Sequence, residues 1–153
     1  MAASRTAARK NIRNPAPAAV NIQKSFTWEG IPLIYSGQEL PNLKRLQFFE
    51  KDTIVWNGKY ELHDFYKALL ALRKTNPAVR SGDKAATNNR LKTNAENSVM
   101  AFLRKNGDRE VVVLLNLSKQ SITCVVEDQQ LSGKFTNIFD KTIHDFTTQK
   151  SFE

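Results

Sequence analysis

The chain has 153 residues, of which 41% are hydrophobic and 25% are charged, a composition typical of globular proteins. This length suits one medium domain, or a small domain with an appendage. No apolar run approaches the roughly 20 residues that a membrane helix needs, so no membrane span is predicted. A single cysteine, Cys124, excludes an internal disulfide, and His63 and His144 stand far apart. We therefore predict neither a metal site nor a cofactor.

The net charge of +8 is concentrated near the start of the chain. Residues 1–28 contain no acid and hold five basic residues: Arg5, Arg9, Lys10, Arg13 and Lys24. The remainder is only mildly basic and lacks a stripe of basic residues interleaved with aromatic ones, so nucleic acid is not a predicted partner. Residues 1–14 are predicted to be a disordered basic leader. They lack the apolar core of a secretory signal, and the localisation stays open.

Residues 15–80 are predicted to form a short helix, a strand, a loop and a second helix. The helix is expected over 16–27, and the apolar run at 31–36 predicts a strand that is buried on both faces. A loop covers 40–60. Apolar residues at three- and four-residue spacing predict the second helix over 61–75, which ends at an Asn-Pro pair.

From about residue 81 the pattern changes to short strands separated by turn signals. Residues 99–104 and 110–117 flank Asn106-Gly107, which predicts a hairpin. Further strands are expected at 121–126, 133–139 and 142–146. This spacing favours a small antiparallel sandwich over 81–153.

The stretch Gly30–Glu39 reads G-x-P-x-x-Y-x-G-x-E and resembles the last barrel strand of the alpha-amylase family of glycoside hydrolases. Residues 65–82 resemble the barrel-closing helix of that family, and 113–118 and 133–139 resemble strands of its C-terminal domain. The resemblance covers about residues 16–153. It implies a predominantly β chain, in which an incomplete βα piece of a TIM barrel (15–80) precedes an antiparallel, Greek-key-like β-sandwich (81–153).

The resemblance also implies a carbohydrate function, the C-terminal part of an α-glucan hydrolase. Retaining glycosidases use two carboxylates, a nucleophile and an acid/base. The family carries these acids in motifs such as G-F-R-x-D and N-H-D, and neither string occurs here. No residue is therefore assigned a catalytic role. The chain is predicted to be inactive alone, and to close the barrel and stabilise the catalytic domain of the whole enzyme.

Four residues at the end of the predicted strand are assigned to the rim of the active site or to its structure: Tyr35, Gly37, Gln38 and Glu39. A carboxylate just beyond a barrel strand often reads as catalytic, but the resemblance makes Glu39 a brace for the loop. Tyr35 is expected in the core. Gly37 is expected to permit a turn that a side chain would obstruct.

The loop 40–60 carries two further features. Trp56 and the pair Phe48-Phe49 either stack on a sugar ring or, as the more favoured alternative, pack against the outer helices of the barrel. Glu50 and Asp52, flanked by lysines, are expected to form a local ion-pair surface rather than a catalytic acid pair. The stacking interpretation supports an alternative function, a non-catalytic carbohydrate-binding β-sandwich module.

The predicted partners follow from the incomplete barrel. One parallel strand and one amphipathic helix cannot close a barrel of eight strands. The apolar faces of these elements would then be exposed, which favours association. We expect either the rest of a catalytic barrel or a second copy of the chain to cover them, and an α-glucan is the ligand expected of the family.

Overall fold

The computed structural model describes residues 5–8, 17–40 and 44–152. Two helices, α1 (Pro17–Thr27) and α2 (His63–Thr75), and a 3-10 turn at Pro77–Val79 accompany eight strands. The strands are β1 (Arg5–Ala8), β2 (Thr87–Arg90), β3 (Val99–Asn106), β4 (Arg109–Asn116), β5 (Cys124–Val125), β6 (Lys134–Asn137), β7 (Ile143–Asp145) and β8 (Ser151–Phe152). The described residues form no helix long and apolar enough to cross a membrane.

Six strands form the main sheet, in the order β2-β3-β4-β1-β6-β7. The pairs β2–β3, β3–β4 and β6–β7 are antiparallel. The sequence predicts the strands of the last two pairs, whereas β2 was not predicted. β1 runs parallel to both of its neighbours, so the sheet is mixed. The prediction of a predominantly β fold is confirmed.

The hairpin of β3 and β4 lies at the centre of this sheet. Its register pairs Val99 with Asn116 and Asn106 with Arg109, which places the turn at the predicted Asn106-Gly107 pair. Successive side chains of a strand point to opposite faces. Both faces of this hairpin are buried, because a layer of structure covers each of them.

On one face, the small antiparallel sheet of β5 and β8 encloses an apolar cluster. Its members are Leu91, Ala101, Leu103, Val112, Val126, Leu131, Phe135, Phe146 and Phe152. The rings of Phe135 and Phe146 meet edge to face, with centroids 5.2 Å apart. This two-layer arrangement of sheets holds together the part of the chain that was predicted to form a sandwich.

On the other face, α2 and the 3-10 turn pack on the sheet. Leu72, Ala78 and Val79 form one apolar cluster with the strand residues Phe102, Val111, Val113 and Leu115. α1 then packs on α2, where Phe26 contacts Tyr66 with ring centroids 6.1 Å apart. The two predicted helices are thus present, and both are anchored by apolar packing.

Two predictions of local structure differ from the fold. Residues 31–36 form no strand, and Ile31 and Leu33 are 91% and 79% exposed. A parallel strand needs neighbours to satisfy its backbone groups, and none of the described strands lies beside this segment. Within the supposedly disordered leader, Arg5–Ala8 form β1, because β4 and β6 provide backbone partners on both sides. The rest of the leader lies outside the described residues.

A buried arginine joins the layers on the helical side of the sheet. Arg104 of β3 is 1% exposed. Its Nε donates to the carbonyl of Ala78 at 2.9 Å, and its Nη1 lies 3.3 Å from Oε1 of Glu29. Because Ala78 is also fully buried, no solvent can replace the hydrogen bond to its carbonyl.

We expect Arg104→Met to lower the free energy of unfolding by about 2–4 kcal/mol, since it leaves a buried carbonyl without its charged donor. Urea denaturation measures this difference. Lys105→Met is the matched control on the same strand; it removes a half-exposed ion pair with Glu110 and should cost less than about 1 kcal/mol. Equal losses in the two variants would contradict the structural role of Arg104.

Candidate functional site

The predicted rim residues form a compact turn. The backbone N–H of Tyr35 donates to Oε1 of Gln38 at 2.9 Å, and the N–H of Gln38 donates to the carbonyl of Tyr35 at 3.1 Å. Gly37 has φ of +83°, and a Cβ added there would lie 2.8 Å from Cγ2 of Ile54. The predicted turn at Gly37 is therefore present, and it requires a glycine both for its backbone angle and for its close packing.

Glu39 leads from this turn towards α2. Its carbonyl accepts a hydrogen bond from the N–H of Leu62 at 3.1 Å, one residue before the helix begins. Burial, together with the nearby charge of Glu39, raises the pKa of Tyr66. The hydroxyl of Tyr66 is buried and has no hydrogen-bond partner among the described residues. The main chain of Glu39 thus connects the turn to the helix, and the predicted bracing role of its side chain stays a prediction.

The segment that contains this turn exposes an unusual amount of apolar surface. We call the described residues 31–40 and 44–60 the apolar segment. Its exposed large side chains are Ile31, Leu33, Ile34, Tyr35, Phe48, Phe49, Val55, Trp56 and Tyr60. Scattered apolar residues are ordinary on a protein surface, but many within one segment indicate an interaction surface.

The exposures of the aromatic residues correct one prediction, that of a core position for Tyr35. Tyr35 is 60% exposed and does not belong to the core. Phe48 and Phe49 are about nine-tenths exposed, and their rings contact each other edge to face at 4.8 Å. Trp56 is 54% exposed and makes no ring contact in the described part of the chain. Sugar stacking and packing against the outer helices of a barrel both stay predictions for these aromatic residues.

An acidic side chain holds the middle of the apolar segment. The carboxylate of Asp52 pairs with Nζ of Lys44 and accepts hydrogen bonds from the backbone N–H groups of Gln47, at 3.0 Å, and Thr53, at 2.7 Å. These donors lower the pKa of Asp52 to about 2, with the hydrogen bond from Lys44 as the largest cause. Asp52 thus belongs to a local ion pair, as predicted, which fixes the loop and leaves Asp52 ionised.

Polar contacts attach the start of the apolar segment to the folded body. Nη1 of Arg73 donates to the carbonyl of Phe26 at 3.0 Å, and Nη2 donates to the carbonyl of Gly30 at 3.1 Å and to Oγ of Ser81 at 3.0 Å. The hydroxyl of Ser81 donates to the Gly30 carbonyl. Burial and the charge of Arg104 lower the pKa of Arg73. The sequence around Arg73 gives no signal for these contacts, because its carbonyl partners lie 47 and 43 residues away in the chain.

The described residues contain no group of three or more His, Cys, Asp or Glu side chains that could hold a metal ion.

A cavity of about 270 Å³ opens beside α2, away from the apolar segment. Its lining consists of Thr6, Ala68, Ala71, Leu72, Thr75, Asn76, Arg109, Ile138 and Lys141. None of the predicted site residues contributes to it. The structure brings Tyr35, Gly37 and Gln38 together in one turn, and their assignment to an active-site rim remains a prediction.

Comparison with known proteins identifies one fold relationship. No family model matches the sequence, and a search of curated proteins finds no match. Among solved structures, the chain is similar to a noncanonic maltogenic alpha-amylase, AmyB, from Thermotoga neapolitana, with a TM-score of 0.67 and 19% sequence identity. The similarity covers 84% of this chain but only 31% of that protein. At this identity the match establishes a shared fold for less than a third of the amylase.

The network around Asp52 predicts a pH dependence that can be measured. Because the pKa is about 2 in the folded chain against an ordinary 3.8, ionised Asp52 stabilises the loop above about pH 4. That stabilisation is lost as the pH falls through about 2. The carbon-13 shift of the Asp52 carboxyl group, followed by NMR, reports the pKa directly.

Lys44→Met should raise that pKa towards 3.8, because it removes the strongest donor. Lys51→Met serves as the control, since the described donors to this carboxylate are Lys44, Gln47 and Thr53. A titration midpoint near 4 in the unmodified chain would show that the network does not form.

Proposed function

We propose that this chain is the C-terminal part of an alpha-amylase-like α-glucan hydrolase, which closes a catalytic barrel and stabilises it without being catalytic by itself. The observation that carries the proposal is the fold similarity to a maltogenic alpha-amylase over 84% of the chain. The sequence resemblance around Gly30–Glu39 supports the same assignment independently. The acids that cleave the glucan would be supplied by polypeptide outside these 153 residues.

The exposure of the apolar segment supports the barrel-closing role. A large apolar side chain contributes about 1.5–3 kcal/mol when it is fully buried, so several such residues left in water favour association strongly. The segment is also held in a defined place rather than loosely attached. Arg73 and Ser81 anchor its beginning, and Asp52 fixes its middle. A pre-ordered surface loses less conformational entropy when it binds.

The partner of this surface would be the rest of a (β/α) barrel. The residues 31–36 form no strand here, but their first five, Ile-Pro-Leu-Ile-Tyr, form an apolar run suited to a strand that is buried on both faces. We propose that this stretch pairs as a strand only when neighbouring barrel strands satisfy its backbone groups. The turn at Gly37 and Gln38 would then lie at the carboxyl end of that strand, where barrel enzymes bind their substrates.

In the absence of a barrel, the apolar segment should mediate self-association. We expect sedimentation velocity to show concentration-dependent oligomers, and the combined change Ile31→Ser, Leu33→Ser, Phe48→Ser and Phe49→Ser to weaken association at least tenfold. Leu117→Ser with Ile143→Ser is the control, since both residues are exposed but lie outside the segment. A strictly monomeric unmodified chain, or an equal effect of the control, would contradict the proposed interface.

A second candidate function rests on Trp56. Its half-exposed indole makes no ring contact within the described residues, and an aromatic face suits the apolar face of a hexose. In this alternative the chain is a non-catalytic carbohydrate-binding module, and Trp56 forms the platform for an α-glucan.

Titration with a cyclodextrin, monitored by tryptophan fluorescence, separates the two functions. The barrel-closing role predicts no saturable change. A saturable change that Trp56→Phe abolishes would favour the binding module instead. Trp28→Phe is the matched control, because the Trp28 ring packs edge to face on Phe102 at 4.9 Å and is not free to stack on a ligand.

A further inference from the structure

We propose that the gap between β4 and β6 is a peptide-binding slot selective for arginine, which the chain fills with its own residues Arg5–Ala8. This inference is independent of the proposed carbohydrate function. β1 is a separate short segment inserted into the middle of the main sheet, and it is paired in parallel with a strand on each side. A segment bound in this way has the geometry of a peptide ligand that adds a strand to a sheet.

The backbone of the slot requires an extended occupant. Along β4, the residues paired with β1 run from Glu110 to Val113, and Val111, Val112 and Val113 are at most 1% exposed. On the other side, β1 pairs with Thr136 and Asn137 of β6. An empty slot would leave buried N–H and C=O groups without partners, at a cost of about 1–3 kcal/mol for each group. Any extended peptide that enters regains these hydrogen bonds whatever its sequence.

Selectivity comes from the contacts of the Arg5 side chain. Its Nε lies 3.2 Å from Oε2 of Glu110, and its Nη1 donates to the carbonyl of Ser132 at 2.9 Å. The guanidinium carbon lies 5.7 Å from the centre of the Phe135 ring, within cation–π range. A guanidinium can donate in two directions at once, towards the carboxylate and towards the carbonyl, whereas an ammonium presents a single point of charge.

The slot also provides space shaped for this side chain. Gly133 lies against Arg5, and a Cβ at that position would overlap Nη1 of the arginine. The φ of Gly133 is +90°, a conformation that residues with a side chain rarely adopt. Glu110 is only 12% exposed and also pairs with Lys105 at 3.1 Å, which holds its carboxylate in place. Glu110, Ser132, Phe135 and Gly133 thus surround the Arg5 side chain at one end of the strand-binding gap.

The test exchanges the internal strand for an added peptide. A protease recognition sequence is inserted between residues 9 and 16 of the full chain, the folded protein is cleaved, and a fluorescein-labelled peptide of residues 1–10 is added. Fluorescence anisotropy should show saturable binding. Replacing arginine by alanine at the Arg5 position of the peptide should weaken binding at least tenfold. Replacing it by lysine should weaken binding by a smaller factor. In each case the peptide loses charge-assisted hydrogen bonds.

A change in the protein identifies the contact responsible. Glu110→Gln should reduce the preference for the arginine peptide over the alanine peptide, and it should leave the affinity for the alanine peptide unchanged, as in a double-mutant cycle. Lys92→Gln is the control: its ion pair with Glu127 lies outside the slot, so the preference should stay the same. Equal affinity for the arginine and alanine peptides would overturn the proposal, as would an undiminished preference in Glu110→Gln.

An uncleaved variant covers the case in which the cleaved chain does not stay folded. In full-length Arg5→Ala, the internal strand stays tethered but has lost its arginine contacts. The labelled arginine peptide should bind this variant more tightly than it binds the unmodified chain, whose own strand competes at high effective concentration. Equal binding to the two chains, or no binding to either, would show that Arg5–Ala8 is a fixed part of the sheet rather than an exchangeable ligand.

Discussion

Two arginines connect distant parts of the backbone on the helical side of the sheet. Arg104 joins that layer to the sheet, and Arg73 holds the residue that precedes the apolar segment. Arg104 reaches from β3 to the Ala78 carbonyl, and Arg73 reaches from α2 to the carbonyls of Phe26 and Gly30. Both donate to main-chain oxygens and so fix the path of the backbone; Arg104 also pairs with Glu29, and Arg73 also donates to Ser81. Buried residues such as Ala78 and Phe26 need donors for their carbonyls, and these guanidinium groups supply them.

The sheet imposes a second constraint, because both of its faces are covered. Apolar clusters lie between the main sheet and the small β5–β8 sheet on one side, and between the main sheet and the helices on the other. A central strand buried on both faces must have backbone partners along both edges. β1 satisfies this requirement for β4 and β6. The fold therefore depends on four residues that are far from these strands in sequence.

Local signals predicted the elements whose stability is local. α2 has the apolar spacing of an amphipathic helix and an Asn-Pro stop, and the β3–β4 hairpin has an Asn-Gly turn between apolar strands. β1 carries no such pattern: the sequence Arg-Thr-Ala-Ala becomes a strand only because a gap in the sheet accepts it. The burial of Arg104 could not be predicted from the sequence either, because its partner carbonyl belongs to Ala78, which is distant in the chain.

The candidate site likewise contains features that the nearby sequence predicts and features that it does not predict. The turn at Gly37 and the ion pair of Asp52 follow from residues close in sequence, and both were predicted. The predicted strand at 31–36 is absent from the structure, and its residues Ile31 and Leu33 are exposed. An apolar run indicates that a segment is buried, but it does not identify the partner that buries it. The positions of Ile31 and Leu33 in solvent are the physical basis for proposing a partner that the described residues do not contain.

We propose that the apolar segment completes a catalytic barrel. The sharpest experiment replaces the matching part of the maltogenic alpha-amylase AmyB with the whole 153-residue chain, which keeps β1 in place, and measures hydrolysis of maltooligosaccharides. We expect an active hybrid, a loss of at least tenfold when Ile31, Leu33, Phe48 and Phe49 are changed to serine, and no hydrolysis by the 153-residue chain alone. Equal hydrolysis by the two hybrids, or hydrolysis by the chain alone, would contradict it.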